Sequence, residues 1–228
     1  NTGEETAVLL ARVLGDEDVS EIPFRNVSQQ KIAVNDEKMN LLGIELTPAM
    51  KKMMTDDKPE KEKKEINSEH KLKIALAQYN EAPISELSKE GILDELSEYG
   101  LEKDSDFSFD DFNAQGDIAS LNTIMSRLAG DNYDMLFLTS TPTLQLAVKL
   151  INHYPVVFSV VADPIIAGAG RNFSNHKANI TGISTMGDFE GMAMLVKEFL
   201  PKAKRLGTLY TPGETNSVSN MQSLKHFV

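Results

Sequence analysis

Residues 134 to 164 read DMLFLTSTPTLQLAVKLINHYPVVFSVVADP, and this stretch decides the fold. Met135 to Leu138 is wholly apolar and Val156 to Val161 is apolar on both faces except at Ser159, so both faces of these two segments must be covered. Between them PTLQLAVKLI reads as a helix. Strand, helix and strand in that order imply a right-handed βαβ unit and parallel pairing.

The same grammar extends on both sides. KLKIALAQ (71–78) reads as a strand, and ISELSKEGILDELSEYG as a helix with Leu87, Ile92, Leu93 and Leu96 turned inward and Gly100 at its end. DFSFDDFN alternates as a strand, and Asp117 is placed to cap the helix DIASLNTIMSRLAGD. After a glycine-rich loop come the helix DFEGMAMLVKEFLP, the strand RLGTLYTP and a helical start, TNSVSNMQSLKHFV. The expected fold is therefore α/β, an open parallel sheet flanked by helices. In such sheets ligands bind beyond the carboxyl ends of the strands, so the loops that follow each strand are the ones to read.

Those loops are QYNEAP, TSTP, VADP and TPGETNS. In TSTP, Pro142 fits the first helical position and makes Thr141 the N-cap. Ser140 and Thr141 then serve either as plain caps or, with the open N–H groups of the helix start, as a site for one carboxylate. No Lys or Arg lies nearby to balance a polyphosphate. Asp163, held extended by Pro164, either closes an Asx-type turn or faces an ammonium group. In TPGETNS, Gly213 permits the turn and Thr215 or Asn216 is placed to cap the next helix.

Other chemistries lack support. The chain has no cysteine, which removes disulfides and thiolate metal sites, and its four histidines have no metal-ligand spacing. AGAGRNF (167–173) lacks the G-x-G-x-x-G spacing. No Ser-His-Asp or paired-carboxylate arrangement is readable, so no catalytic residue, metal or cofactor is expected. A net charge of −11 over 228 residues argues against nucleic acid, which needs clustered Lys and Arg. No segment approaches the ~20 apolar residues of a membrane helix. Asn1 is not followed by a basic and then apolar leader, so a targeting segment lies upstream or there is none.

The first 70 residues differ in texture. ETAVLLARVLGDED is amphipathic, with Ala7, Leu10, Ala11 and Leu14 at helical spacing. QQKIAVND resembles a short strand, and EKMNLLGIELTPAMKKM a short helix ended by Gly43 and then an extended piece. That is too little structure for a domain. Residues 52–70 are dense in charge and poor in apolar side chains, the composition of a flexible tether.

Taken in order, FNAQGD (112–117), TSTPTLQLA (139–147), PVVFSVVADPIIAGA (155–169), NITGIS (179–184) and LPKAKRLGTLYTPGETNS (200–217) resemble one family. It is that of the ABC-transporter substrate-binding proteins associated with tryptophan and tyrosine uptake. The resemblance implies a type I periplasmic-binding-protein fold, two α/β lobes closing over a small ligand. Residues 71–185 would be the first lobe, and 186–228 the incomplete start of the second. Residues 1–51 resemble the carboxyl-terminal tail of such a unit, so the expected organisation is a tail from a preceding unit, a charged linker (52–70) and the next unit, as in a tandem repeat.

The function implied is that of a non-enzymatic, extracytoplasmic solute-binding component of an ABC importer, with permease subunits as partners and an amino acid, aromatic among the candidates, as ligand. Ser140 and Thr141 would hold its carboxylate and Asp163 its ammonium. Asn216 and Ser217 would contribute from the second lobe, and Tyr79 and Asn80 from a loop, QYNEAP, that matches the family only loosely. A ligand-sensing regulator built on the same bilobal fold is the alternative.

Overall fold

The computed structural model describes residues 2–27 and 71–228. Both the strand expected at QQKIAVND and the charged linker lie outside the described residues, as does the helix expected at EKMNLLGIELTPAMKKM. A six-stranded parallel sheet forms the centre: β1 (Arg25–Asn26), β2 (Leu72–Gln78), β3 (Phe107–Asn113), β4 (Met135–Thr139), β5 (Val156–Val161) and β8 (Ile180–Ser184). The order across it is β1-β8-β5-β4-β2-β3. Strands β6 (Gly170–Asn172) and β7 (Asn175–His176) form a separate antiparallel hairpin.

The apolar runs that decided the fold are buried as that reading requires. Every residue of β4 is buried, and β5 is buried except at Val160. Alternate residues feed two cores. Ala75, Ala77, Leu136, Leu138, Val156 and Phe158 face one, with side chains from α3 (Ile118–Gly130) and α4 (Thr141–Leu150). Ile74, Leu76, Phe137 and Val157 face the other, against α1 (Thr2–Leu14) and α2 (Pro83–Glu98).

Residues 2–27 pack on this lobe. Helix α1 packs on α2 and on β5, and β1 extends the sheet by pairing Arg25 with Ile183 and Asn26 with Ser184. The buried Thr181 hydroxyl donates to the Ile22 carbonyl at 2.8 Å. Phe24 meets Phe158 edge-on with ring centres 5.1 Å apart and stacks on His176 at 4.4 Å.

Two expectations need correction, and one strand carried no expectation at all. Leu87 is 66% exposed, and Ser88 takes the inward place at 2%. The cause lies in what α2 meets: Ser88 hydrogen-bonds Ser159 across 2.9 Å, and Gly91 lies against Gly3 of α1. NITGIS supplies a sheet strand, β8, that its glycine hides. Gly182 pairs with Phe158, and a Cβ there would stand 2.3 Å from the Phe158 carbonyl oxygen, so only glycine lets the strands approach. Finally, RLGTLYTP forms no strand. No neighbouring strand reaches it among the described residues, and Leu209 is fully exposed, so its backbone has no ladder to join.

Helices α5 (Phe189–Phe199) and α6 (Thr215–Phe227) pack on each other beyond the sheet. Asp188 caps α5, accepting from the Gly191 N–H at 2.8 Å. Among the described residues no helix is long and apolar enough to cross a membrane.

Candidate functional site at the carboxyl edge of the sheet

Parallel strands end together, so the loops after β2, β4 and β5 meet at one edge. Strand β2 pairs with β4 through Ala77 and Leu138, and β4 with β5 through Thr139 and Ser159. This register brings Tyr79, Asn80, Ser140, Thr141 and Asp163 to neighbouring positions. Tyr79 is half-buried against the core, its carbonyl accepting from the Gly116 N–H at 2.7 Å, while Asn80 is exposed.

The TSTP turn begins one residue earlier than capping rules suggest. Ser140 is the N-cap, Thr141 opens α4, and Pro142 follows it. Strand β4 runs through Thr139, and the chain turns within the single residue Ser140, at φ 79° and ψ 149°. That region is almost reserved for glycine and costs a serine roughly 1–3 kcal/mol. No side chain caps the first turn of α4, because the Ser140 hydroxyl instead pairs with Thr143 Oγ1 at 2.9 Å. The edge therefore offers a helix start with uncapped N–H groups and a half-buried serine.

Asp163 does close the turn that its sequence allows. Its Oδ1 accepts from the N–H groups of Ile165 (2.8 Å) and Ile166 (3.1 Å), which fixes the carboxylate at the end of β5. A second carboxylate stands on the same edge after β3. Asp117 is held below the usual carboxylate range chiefly by the Ser120 backbone N–H, and it caps α3.

Across from these loops lies the start of α6. Glu214 is its N-cap, without a side-chain bond, so neither Thr215 nor Asn216 takes that role. The Ser217 hydroxyl accepts from the Thr211 N–H at 2.8 Å and so closes its own loop, while the Asn216 Oδ1 is buried without a partner. Gln145 of α4 reaches over to donate to Thr215 Oγ1 at 3.3 Å. A cavity of about 260 Å³ opens between the two sides. Ile166 borders it from the β5 loop, and Pro212, Thr215, Val218, Ser219 and Gln222 from the other side. None of the expected carboxylate-binding hydroxyls lines it.

Two residues at this edge escaped the sequence reading. Gln78 and Thr139, the last residues of adjacent strands β2 and β4, are 1% and 0% exposed. Gln78 Nε2 and Thr139 Oγ1 each lack a hydrogen-bond partner. The next polar residue along the row, Ser159, is satisfied by Ser88 and Thr6. Burial of a polar group at a strand end gives no signal in one sequence, because it depends on which helix covers that end.

The carboxyl edge of the parallel sheet thus lies opposite the start of α6, with Ile166 and the α6 residues on either side of a small cavity. Residues 73–228 match the family of ABC transporter substrate binding proteins, and the chain belongs to that family. A tyrosine-binding protein from Clostridioides difficile (strain R20291) is 29% identical over 166 residues, which are 73% of this chain and 48% of that one.

Among solved structures, the ABC domain in complex with L-Trp from Streptococcus pneumonia is 28% identical with a TM-score of 0.65, covering 69% of this chain and 53% of that one. A conserved domain protein from Vibrio cholerae is 35% identical, with a TM-score of 0.64 and the same coverage. The chain spans about half the length of these relatives.

Proposed function

We propose that this chain carries the ligand-gripping edge of an extracytoplasmic solute-binding component of an ABC importer. The ligand is a small zwitterion, an amino acid, with aromatic side chains favoured by the relatives named for tyrosine and bound to L-Trp. One observation carries the reading: a neutral hydroxyl turn with an uncapped helix start and a fixed carboxylate sit on adjacent strand ends, on the side of the sheet where Gln145 of α4 reaches Thr215 at the start of α6.

In this account the Ser140 and Thr141 groups hold the ligand carboxylate at the start of α4, where the helix dipole favours an anion. Asp163 balances the ammonium. Tyr79 and Asn80 flank from the β2 loop, and Asn216 and Ser217 approach from the second lobe. The protein binds rather than transforms its ligand. Hinge closure over the ligand distinguishes loaded from empty forms for permease subunits.

The organisation that goes with this reading is a tail (1–51) from a preceding unit, a linker (52–70), a first lobe (71–185) and the start of a second (186–228). Its support is that residues 2–27 precede the family match yet complete the sheet and one core of the lobe that follows. Calorimetry against the twenty amino acids tests the function. One-to-one heat from at least one of them is expected. A folded protein that gives no heat with any would overturn the proposal.

A further inference from the structure

Strand β5 changes face before it ends. Val156 and Phe158 face the core shared with α3 and α4, and Val157 the core shared with α1 and α2. Strict alternation would put Val161 with Val157, yet Val161 lies in the α3 and α4 core with Phe158. The register shows why. Phe158 pairs with Gly182 and Val161 with Ser184, so three steps along β5 match two along β8. One residue is extra, the mark of a β-bulge. Val160 marks it, at φ 54°, a left-handed backbone that a β-branched side chain rarely adopts.

This reversal decides on which face the carboxylate of Asp163 falls. Two residues beyond Val161, Asp163 takes the face of Val161, and Ile165 after it packs against the same core. Tyr79, two residues beyond Ala77, packs there as well, and Ser140 stands two beyond Leu138. One face thus collects loop residues from β2, β4 and β5. Without the extra residue, Asp163 would continue the row of Val157 and Ser159. That row is closed over by α1 and α2, where Ser159 meets Ser88 and Thr6. The costly backbone therefore sits at the position that sets this face. It lies one step past the Thr139–Ser159 pair, beside Ser140, which is also at positive φ.

We propose that Val160 is a positioning residue for ligand binding: the bulge it forms turns the end of β5 so that Asp163 presents its carboxylate on the face of Tyr79 and Ser140. Val160 acts through Asp163, by shifting the alternation of the strand by one residue. The inference rests on the amino-acid reading above and adds the backbone feature that brings the ammonium partner to the open side of the sheet.

The test uses the full 228-residue chain and two pairs of probes, L-tryptophan with indolepropionate and L-tyrosine with phloretate. Within each pair only the ammonium group differs, so the ratio of calorimetric Kd values reports the aim of Asp163. In the parent the amino acid is expected to bind at least tenfold more tightly than its partner, and Asp163→Asn to remove most of that ratio. Deleting Val160, which restores the alternation, should collapse the ratio as Asp163→Asn does. Ala162→Asp/Asp163→Ala keeps the bulge and moves the carboxylate to the opposite face. It should collapse the ratio too, and it carries the test where the deletion does not fold. A parent ratio near one, or a tenfold ratio kept in either folded variant, would overturn the inference while the amino-acid reading stands. Melting temperatures check the bulge without any ligand: at a left-handed residue Val160→Gly should melt above Val160→Ala. The reverse order, that of an ordinary strand, would remove the bulge and the inference with it. If neither amino acid gives heat with the parent, the amino-acid reading itself fails and takes this inference with it.

Discussion

Gly3 and Gly91 bring α1 and α2 together backbone to backbone: a Cβ added at Gly3 would stand 3.0 Å from the Gly91 Cα and 2.5 Å from the Ser88 carbonyl oxygen. A Cβ at Gly91 would meet Gly3 Cα at a milder 3.2 Å. Replacing a helical glycine by alanine gains roughly 0.5–1 kcal/mol in propensity, whereas overpacking costs roughly 1–3 kcal/mol. Gly91→Ala should therefore be near neutral and Gly3→Ala destabilising. Urea denaturation of the two variants side by side checks this, and equal midpoints would show that α1 does not sit so close.

Thr139 and Ser159 face the same core from neighbouring strands but differ in their partners. The Thr139 hydroxyl is wholly buried and unpartnered, so the isosteric Thr139→Val should stabilise the fold by ~1–2 kcal/mol. Ser159 joins Ser88 and Thr6, so Ser159→Ala should destabilise by a similar ~1–2 kcal/mol. Opposite signs in the unfolding free energy are the expected result.

Phe24 holds the N-terminal segment to the sheet, 3% exposed among Phe158, Phe173 and His176. Phe24→Ala should cost ~3–5 kcal/mol, a core-scale loss. A loss below ~0.5 kcal/mol, the scale of an ordinary surface change, would mean that residues 2–27 do not complete the lobe in solution.

Two tyrosines predict an alkaline limb. Burial, with a hydrogen bond to Asp110, pushes Tyr133 up to about 12, and burial likewise raises Tyr154, whose hydroxyl donates to the Leu128 carbonyl at 2.7 Å. A raised folded-state value means that the folded protein keeps protons which the unfolded chain releases near pH ~10. Stability is thus full below that pH and falls as pH rises from ~10 toward 12. Melting temperatures between pH 9 and 11 should decline, and Tyr154→Phe should flatten the decline.

The legibility of this chain follows from where its information is local. The βαβ core could be read because β4 and β5 are apolar on both faces, and the Asp117 cap because its chemistry is complete within four residues. Strand β8 was hidden because Gly182 answers to Phe158, a partner 24 positions away. The two-residue β1 carries no pattern of its own, beside Pro23, and takes its identity from β8. RLGTLYTP has strand composition without a neighbouring strand. At the site, the loop positions followed from topology, but the turn at Ser140, the Asp163 bonds and the buried Gln78 and Thr139 atoms depend on packing across the sheet.

The central claim is that Ser140 and Thr141 grip a ligand carboxylate rather than merely start a helix. It is tested most directly by measuring the calorimetric Kd for an amino-acid ligand and the melting temperature of Ser140→Ala/Thr141→Ala against the parent. The account predicts affinity at least tenfold weaker, a loss of about 1.4 kcal/mol, with little change in melting temperature. An unchanged Kd, or affinity and melting temperature falling together, would contradict it.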